Sequence, residues 1–496
     1  MERSDARASS AGASAALVGR PDDEAPRTLL EELLFQRAVQ AYLWAMPLVN
    51  TLGMKTGSEQ AFGQGYEVLP VWKRRIDAKT RITTPNSDVL YAMGYVDLGR
   101  DGPLVLTAPP RMQGILLDVW QRPIPMDGGA FAGDVGLAGP DAGRGGRFLL
   151  LPPGYAGPTP GDCFVCRPVT NTVFVFLRAF YEDPADLAPA AALLEQARIE
   201  PLAGPARPMR FPDASGLAVD MLPLRDGAVF DRLKELLDSE VPGLADHEWL
   251  GLLAAIGLVR GRPFAPDART RRVLDAAART AYAMSRAVGF EESVGGRSLR
   301  VYPDRRWLNP MGNGASPGQP DLSGLVPTAE GDSAGAYLDL DLRIWYFTNY
   351  YSVSPGMVSK IPGRGARYLV AFADDQGEAL AGEASYRLVL PASIPAANFW
   401  SVTLYEAASG SGLDNGQPFP SLGSRDKPAQ RDDGATELFF GPTAPPDQAG
   451  NWIATVPGQG FFVVLRLYGP TAPALDGSWK PGDLERRECR GPGQVR

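Results

Sequence analysis

The chain is poor in the residues from which metal centres and many catalytic sites are assembled. It has one histidine, His247, in 496 residues. A site of several imidazoles cannot then be built within one chain, and a Ser-His-Asp triad would have to use that residue. Three cysteines are an odd number, unlike a disulfide framework. A basic excess is also missing. The 49 Lys and Arg against 57 Asp and Glu leave a net charge of −8, which argues against a nucleic-acid partner. No segment reaches the roughly 18 uninterrupted apolar residues of a membrane helix. Residues 1–27 read as a disordered lead whose best apolar run, Ala15 to Val18, is too short for a signal peptide. A cytoplasmic protein with no membrane partner is expected.

Glycine and proline, by contrast, are abundant, at 56 and 46 residues, which favours turn-rich β architecture. Leu29 to Pro47 has near-helical apolar spacing and is expected to end at Pro47. Short apolar runs then predict strands at Leu104–Leu106, Ile115–Trp120, Phe148–Leu151, Cys163–Arg167 and Thr172–Arg178. Between Asp127 and Gly146 a Gly-, Asp- and Ala-rich stretch predicts a long loop. Residues 190–199, 227–240, 246–259 and 267–288 predict four helices, and Tyr337 to about Tyr351 a further one. Arg367–Ala373 and Ser385–Leu390 predict a hairpin, followed by strands at Phe399–Tyr405, Glu437–Phe440 and Phe461–Tyr468. The expected organisation is a lead (1–27), an N-terminal β domain with a leading helix (28–183), a helical region (184–308), a linker (309–335) and a C-terminal β domain (336–485).

Charges stranded in apolar strands are the most informative feature. Asp118 and Arg122 share a strand face with Leu116 and Trp120, Arg178 shares one with Phe174 and Phe176, and Arg466 with Phe462 and Val464. A buried ion costs several kcal/mol unless paired and hydrogen-bonded. Asp118 and Arg122 would stand about 13 Å apart along a strand, too far to satisfy each other. Either Asp118 pairs with a cation such as Arg178, or an arginine in a β-lined cavity holds a ligand carboxylate or phosphate. A second constellation, Thr83 to Tyr91, reads equally as a capped turn in which Pro85 keeps Thr84 extended. It also reads as a site offering Asp88 as acid or base, Asn86 as an amide and Tyr91 as a phenol.

Other motifs carry less. Cys163 and Cys166 lie in a strand, where residues three apart face opposite ways, so they read as small buried side chains. Gly314–Gly318 matches G-x-S-x-G without a preceding strand. Ser424–Lys427 matches S-x-x-K in a loop, and Asp433-Gly434 is a hairpin turn. His247 sits in the first turn of an expected helix.

Thr84–Tyr91, Asp118–Arg122 and Arg167–Thr172 resemble the bacterial domain-of-unknown-function family twelve-fifty-four. Phe399–Tyr405, Gln417–Pro420, Asn451-Trp452 and Leu465–Pro470 resemble family twelve-fourteen, which follows it in two-part proteins. The resemblance spans about 35 to 485. It implies two jelly-roll-like β-sandwich domains with helical insertions, a mixed α+β and mainly β fold, and a homo-oligomer.

The functional expectation is a cofactor-independent small-molecule enzyme of lyase, isomerase, cyclase or hydrolase type. It would act on an anionic or polar ligand in a β-lined pocket, with no redox cofactor and no histidine-bound metal. Asp88, Tyr91 and Asp118 are the candidate catalytic residues, and Asn86, Trp120, Arg122 and Arg178 the candidate ligand-binding residues. The alternative is a non-enzymatic jelly-roll binding or scaffold protein, with Trp345, Tyr346, Phe347, Tyr350 and Tyr351 forming a partner surface.

Overall fold

A computed structural model describes residues 28–129, 132–240, 247–310, 339–358 and 361–487. The 1–27 lead, the Gly314–Gly318 motif, Tyr337 and Cys489 lie outside the described residues. The fold is mixed α+β. One unit comprises the chain up to Ala45 with Leu224–Ala287, the other Met46–Pro223 with Val288 onward.

The first unit is helical, with helices Leu29–Trp44, Ala228–Ser239, His247–Ala255 and Ala268–Val288. Thr28 caps the first helix in a reciprocal box with Glu31, satisfying two of the orphan N-terminal donors. Its inner face buries Phe35, Val39 and Tyr42. Trp44 stacks on Trp249 at 5.1 Å, and the Tyr42 hydroxyl donates to the Leu224 carbonyl at 2.6 Å.

Pro47 does not terminate this part of the chain, as its spacing suggested. The helix breaks at Ala45, and a new one runs Met46–Phe62 with Pro47 in its first turn, where the missing N–H costs nothing. That helix buries polar residues, Asn50, Thr51 and Ser58, along with apolar ones, so its sequence shows no amphipathic stripe. Gly53 and Gly57 let it approach the backbone around Asp220 and Leu222: a Cβ at either would stand 2.0 Å from a carbonyl oxygen.

Strands β1 (Val71–Trp72), β2 (Leu90–Asp97), β3 (Leu104–Ala108), β4 (Gln113–Asp118), β5 (Asp134–Gly136), β6 (Gly146–Leu150), β7 (Phe164–Cys166), β8 (Thr172–Ala179) and β9 (Arg198–Pro201) form two sheets. Their orders are β1-β2-β8-β4-β5 and β9-β3-β6-β7. Both contribute to one core through Val173, Val175 and Leu177 of β8 and Leu104, Leu106, Phe148 and Leu150 of the other sheet. The predicted helix at 190–199 is shorter, Ala188–Leu194, because Arg198–Pro201 leaves to pair antiparallel with Leu104–Thr107. Cys166 lies in the main core while Cys163 packs with Val105 and Leu149 on the other face, as the pleat requires.

Strands β10 (Ala366–Ala371), β11 (Ser385–Leu390), β12 (Ala396–Glu406), β13 (Ser421–Gly423), β14 (Thr436–Gly441), β15 (Trp452–Ala454), β16 (Phe461–Pro470) and β17 (Glu485–Arg487) form two more sheets. The orders are β10-β16-β12-β13 and β15-β14-β11-β17. The hairpin expected between β10 and β11 is absent. β10 pairs with β16 and β11 with β14, because the two strands contribute to a shared core from different sheets. The helix expected near 337–351 is Leu340–Asn349, capped by Asp339. No described helix is long and apolar enough to cross a membrane.

Candidate functional site

The two central strands, β8 and β16, are buried along their whole length. Alternation assigns Val173, Val175 and Leu177 to the core of the first sheet pair, which leaves Phe174, Phe176 and Arg178 on its opposite face. The same pattern in β16 puts Val463, Leu465 and Leu467 in the second core and Phe462, Val464 and Arg466 on the reverse. These reverse faces converge on a cavity of about 50 Å³, lined by residues that include Asn86, Tyr91, Arg178, Tyr351, Tyr368 and Arg466. That volume holds several waters or a compact polar group.

Arg178 is 5% exposed and forms no ion pair with any described residue. Its Nε and Nη2 are buried without an acceptor. Its nearest aromatic support is Phe176, 5.1 Å from the guanidinium to the ring centre. Arg466 is 3% exposed and donates from Nη1 to Thr403 Oγ1 at 3.2 Å and from Nη2 to the Thr84 carbonyl at 3.3 Å. It too has no carboxylate partner among the described residues. A guanidinium stays protonated under all ordinary conditions, so both positive charges persist in the cavity wall.

The remaining wall is aromatic and phenolic. Tyr91 stacks on Phe176 at 5.1 Å, and Tyr351 meets the same ring edge-on at 5.6 Å. Burial pushes the wall phenols of Tyr91 and Tyr346 well above their ordinary value and that of Tyr351 upward too, and does the same to Tyr468, outside the lining. They are therefore neutral hydrogen-bonding groups rather than counter-anions. Asn86 donates from Nδ2 to the Tyr468 hydroxyl and accepts from the Asp88 backbone N–H at 2.8 Å.

Asp134, in β5, stands outside the lining, and its carboxyl feels the Arg178 charge. Its Oδ2 accepts from the Gly356 N–H at 2.7 Å, while Oδ1 is buried with no partner. Burial pushes its carboxyl up to about 7, with the Ser354 hydroxyl, the Gly356 N–H and the Arg178 charge pulling the other way. The sequence hid it in the Gly-rich stretch expected to be a loop.

Asn86, Tyr91 and Arg178 thus come together. Asp118, Trp120 and Arg122 do not line the cavity, and the expectation that Asp118 and Arg122 cannot meet is overturned. β4 ends at Asp118, and Gln121 adopts φ 62°, so the chain turns back. Arg122 Nε then donates to Asp118 Oδ2 at 2.6 Å, and the N–H groups of Trp120 and Arg122 donate to Oδ1 at 2.9 Å. The alternative pairing of Asp118 with Arg178 does not form. Asp88 also stands outside the lining, with Oδ1 accepting from Arg75 Nη2 at 3.3 Å and Oδ2 buried without a partner.

Thr84 is not extended as Pro85 suggested. It takes φ 42°, a conformation costing about 1–3 kcal/mol for a residue with a Cβ. Three bonds hold it: its N–H to the Gly410 carbonyl at 2.6 Å, its hydroxyl to the Asn349 carbonyl at 2.9 Å, and the Arg466 donation. The five aromatics expected on a partner surface are buried, Trp345, Tyr346 and Phe347 completely. Tyr346 and Tyr350 form cavity wall instead. Among the described residues no group of three or more His, Cys, Asp or Glu is placed to hold a metal ion.

Residues 67–201 match the family model described as a protein of unknown function, DUF1254. Residues 365–472 match that of a second protein of unknown function, DUF1214. Both matches fall in this one chain, in that order. The DUF1254 part supplies Asn86, Tyr91 and Arg178 to the cavity, and the DUF1214 part supplies Tyr368 and Arg466. The fold is similar to the crystal structure of the VPA0106 protein from Vibrio parahaemolyticus, at 17% identity and TM-score 0.53, over 92% of this chain and 100% of that one. A crystal structure of an uncharacterized protein from Burkholderia cenocepacia matches at 15% identity and TM-score 0.41, over 92% and 94% of the two chains. No curated protein matches the sequence at a significant level.

Proposed function

We propose that this protein binds a small anionic molecule, with its carboxylate or other oxyanion held between Arg178 and Arg466. The observation that carries the reading is Arg178: a buried guanidinium facing a cavity with two nitrogens lacking any acceptor. Such a group destabilises the empty protein by several kcal/mol, and an oxyanion accepting from it removes that penalty with charge-assisted hydrogen bonds. The tyrosine-rich wall suits the uncharged remainder of the ligand. The test is thermal unfolding with small carboxylates and oxyanions at constant ionic strength. A binding anion at a hundred times its Kd should stabilise the protein by about 2.7 kcal/mol, and Arg178→Gln should abolish that gain. Wild-type protein unmoved by every anion beyond a chloride control would contradict the reading.

One observation favours a second reading, cofactor-independent acid–base chemistry on the bound anion. A carboxyl near 7 that feels the Arg178 charge can take and return a proton at neutral pH. In this reading Asp134, outside the lining but coupled to it through the Arg178 charge, is the acid or base, and Tyr91, in the lining, is a hydrogen-bond partner. Proton NMR in deuterium oxide would test it on small keto acids. The expected result is carbon-bound hydrogen exchange with wild type and none with Asp134→Asn; equal exchange in both would contradict it.

A further inference from the structure

The reading above requires an anion but leaves its charge open. We infer that the cavity selects a compact dianion, the shared chemistry of a phosphate monoester, inorganic phosphate and a small dicarboxylate, over a monoanion of the same size. This inference rests on the anion-binding reading and deepens it.

Fixed charge decides the preference. Arg178 and Arg466 come from the central strands of two different sheets, and both line the same cavity. Tyr91, Tyr351 and Tyr468 each feel the charges of both guanidiniums, so the two cations converge on one set of rings. Neither is compensated by a carboxylate among the described residues. The nearby phenols are neutral, and Asp88, whose charge also reaches Tyr468, stands outside the lining and is engaged by Arg75. Asp134 is the acid that acts on Arg178, and near neutrality it is divided between its two charge states. With Asp134 about half ionised near pH 7 the two guanidinium charges are only partly offset, and an anion entering beside Arg178 draws Asp134 toward its neutral form, which leaves both guanidiniums to the ligand.

A monoanion would leave one guanidinium uncompensated in a low-dielectric site, where an unpaired ion is most costly. Two negative charges within one small group neutralise both. The lining is also rich in donors and poor in fixed acceptors, since it presents two guanidiniums and several phenolic hydroxyls. Oxyanion oxygens, with several lone pairs each, complement that arrangement. At about 50 Å³ the space fits a charged head rather than a long molecule.

Calorimetric titration of the full chain at pH 7.5 and fixed ionic strength tests this with size-matched pairs: malonate against malonamate, and phosphate against methanesulfonate. At least tenfold tighter binding of the dianion in one pair is expected, and the pair showing it tells a carboxylate head from a phosphate one. Arg466→Gln should erase the dianion preference while still binding the monoanion, and Arg466→Lys, which keeps the charge, should retain the preference. Circular dichroism confirms that each variant folds. Monoanions binding as tightly as dianions would overturn this inference and leave the anion-binding reading standing. Binding of none of the four would overturn both.

Discussion

Arg122, just past the end of β4, and Arg178, in the β8 strand beside it, are two cations of the same sheet region with different surroundings. Arg122 lies in a turn whose Asp118 carboxylate accepts its Nε and two backbone N–H groups. Arg178 has an aromatic ring beneath it and no acceptor for two of its nitrogens. The first arrangement is complete within the chain. The second becomes complete when something negative enters the cavity. The difference teaches that a charge in an apolar strand is informative through what faces it, because the sequence pattern is the same in both cases.

The strongest way to break the comparison is at the paired side. Asp118→Ala leaves Arg122 and two N–H groups without their acceptor and is expected to cost about 3–5 kcal/mol. Urea unfolding measures this, and a loss below about 1 kcal/mol would contradict the assignment of Asp118 as structural. Gln121→Ala comes next. The Gln121 side chain accepts from the Ser352 N–H at 2.8 Å and donates to Asn50 Oδ1 at 2.9 Å and the Pro47 carbonyl at 3.1 Å. Removing it strands those buried groups at a cost of about 2–3 kcal/mol. Because Ser352 lines the cavity, anion affinity should fall with it; unchanged affinity would separate the turn from the site.

The cavity side has a signature in pH. The Asp134 carboxyl stands at about 7 in the folded protein against an ordinary value of 3.8. Below both values the folded and unfolded chains are equally protonated. Between them the folded chain keeps a proton that the unfolded chain has released, so stability falls as pH rises and the loss is complete above 7. The slope from this group is at most about 1.4 kcal/mol per pH unit. Asp134→Asn should remove that component of the slope between pH 4 and 7. An identical profile in the variant would mean the carboxyl is ionised in the folded state.

Much of the strand framework was legible because β3, β4, β6, β8 and β16 are short apolar runs bounded by Gly and Pro. β2 was not, since Leu90 to Val96 is apolar on both faces and follows residues that suit a turn. The helix Met46–Phe62 was missed for the same reason, being buried nearly all round. Within the site, Arg178 and Arg466 were visible as ions on aromatic faces, and Asn86 and Tyr91 as part of a distinctive run. Asp134 gave no signal, because it lies in a short Gly-rich stretch, between Gly133 and Val135, and its burial comes from strand pairing with β4. Asp118 and Arg122 were misplaced because strand spacing was extended through Gln121, whose left-handed backbone ends the strand.

The most direct test of the central claim compares wild type with Arg178→Met by urea unfolding in a zwitterionic buffer, with and without added malonate. Removing an uncompensated buried charge should make the anion-free variant more stable, by about 1–4 kcal/mol, and leave it indifferent to malonate while wild type gains stability. A variant less stable than wild type in the absence of anions, and stabilised equally by malonate, would show that Arg178 is satisfied within the chain and that the cavity is not its binding site.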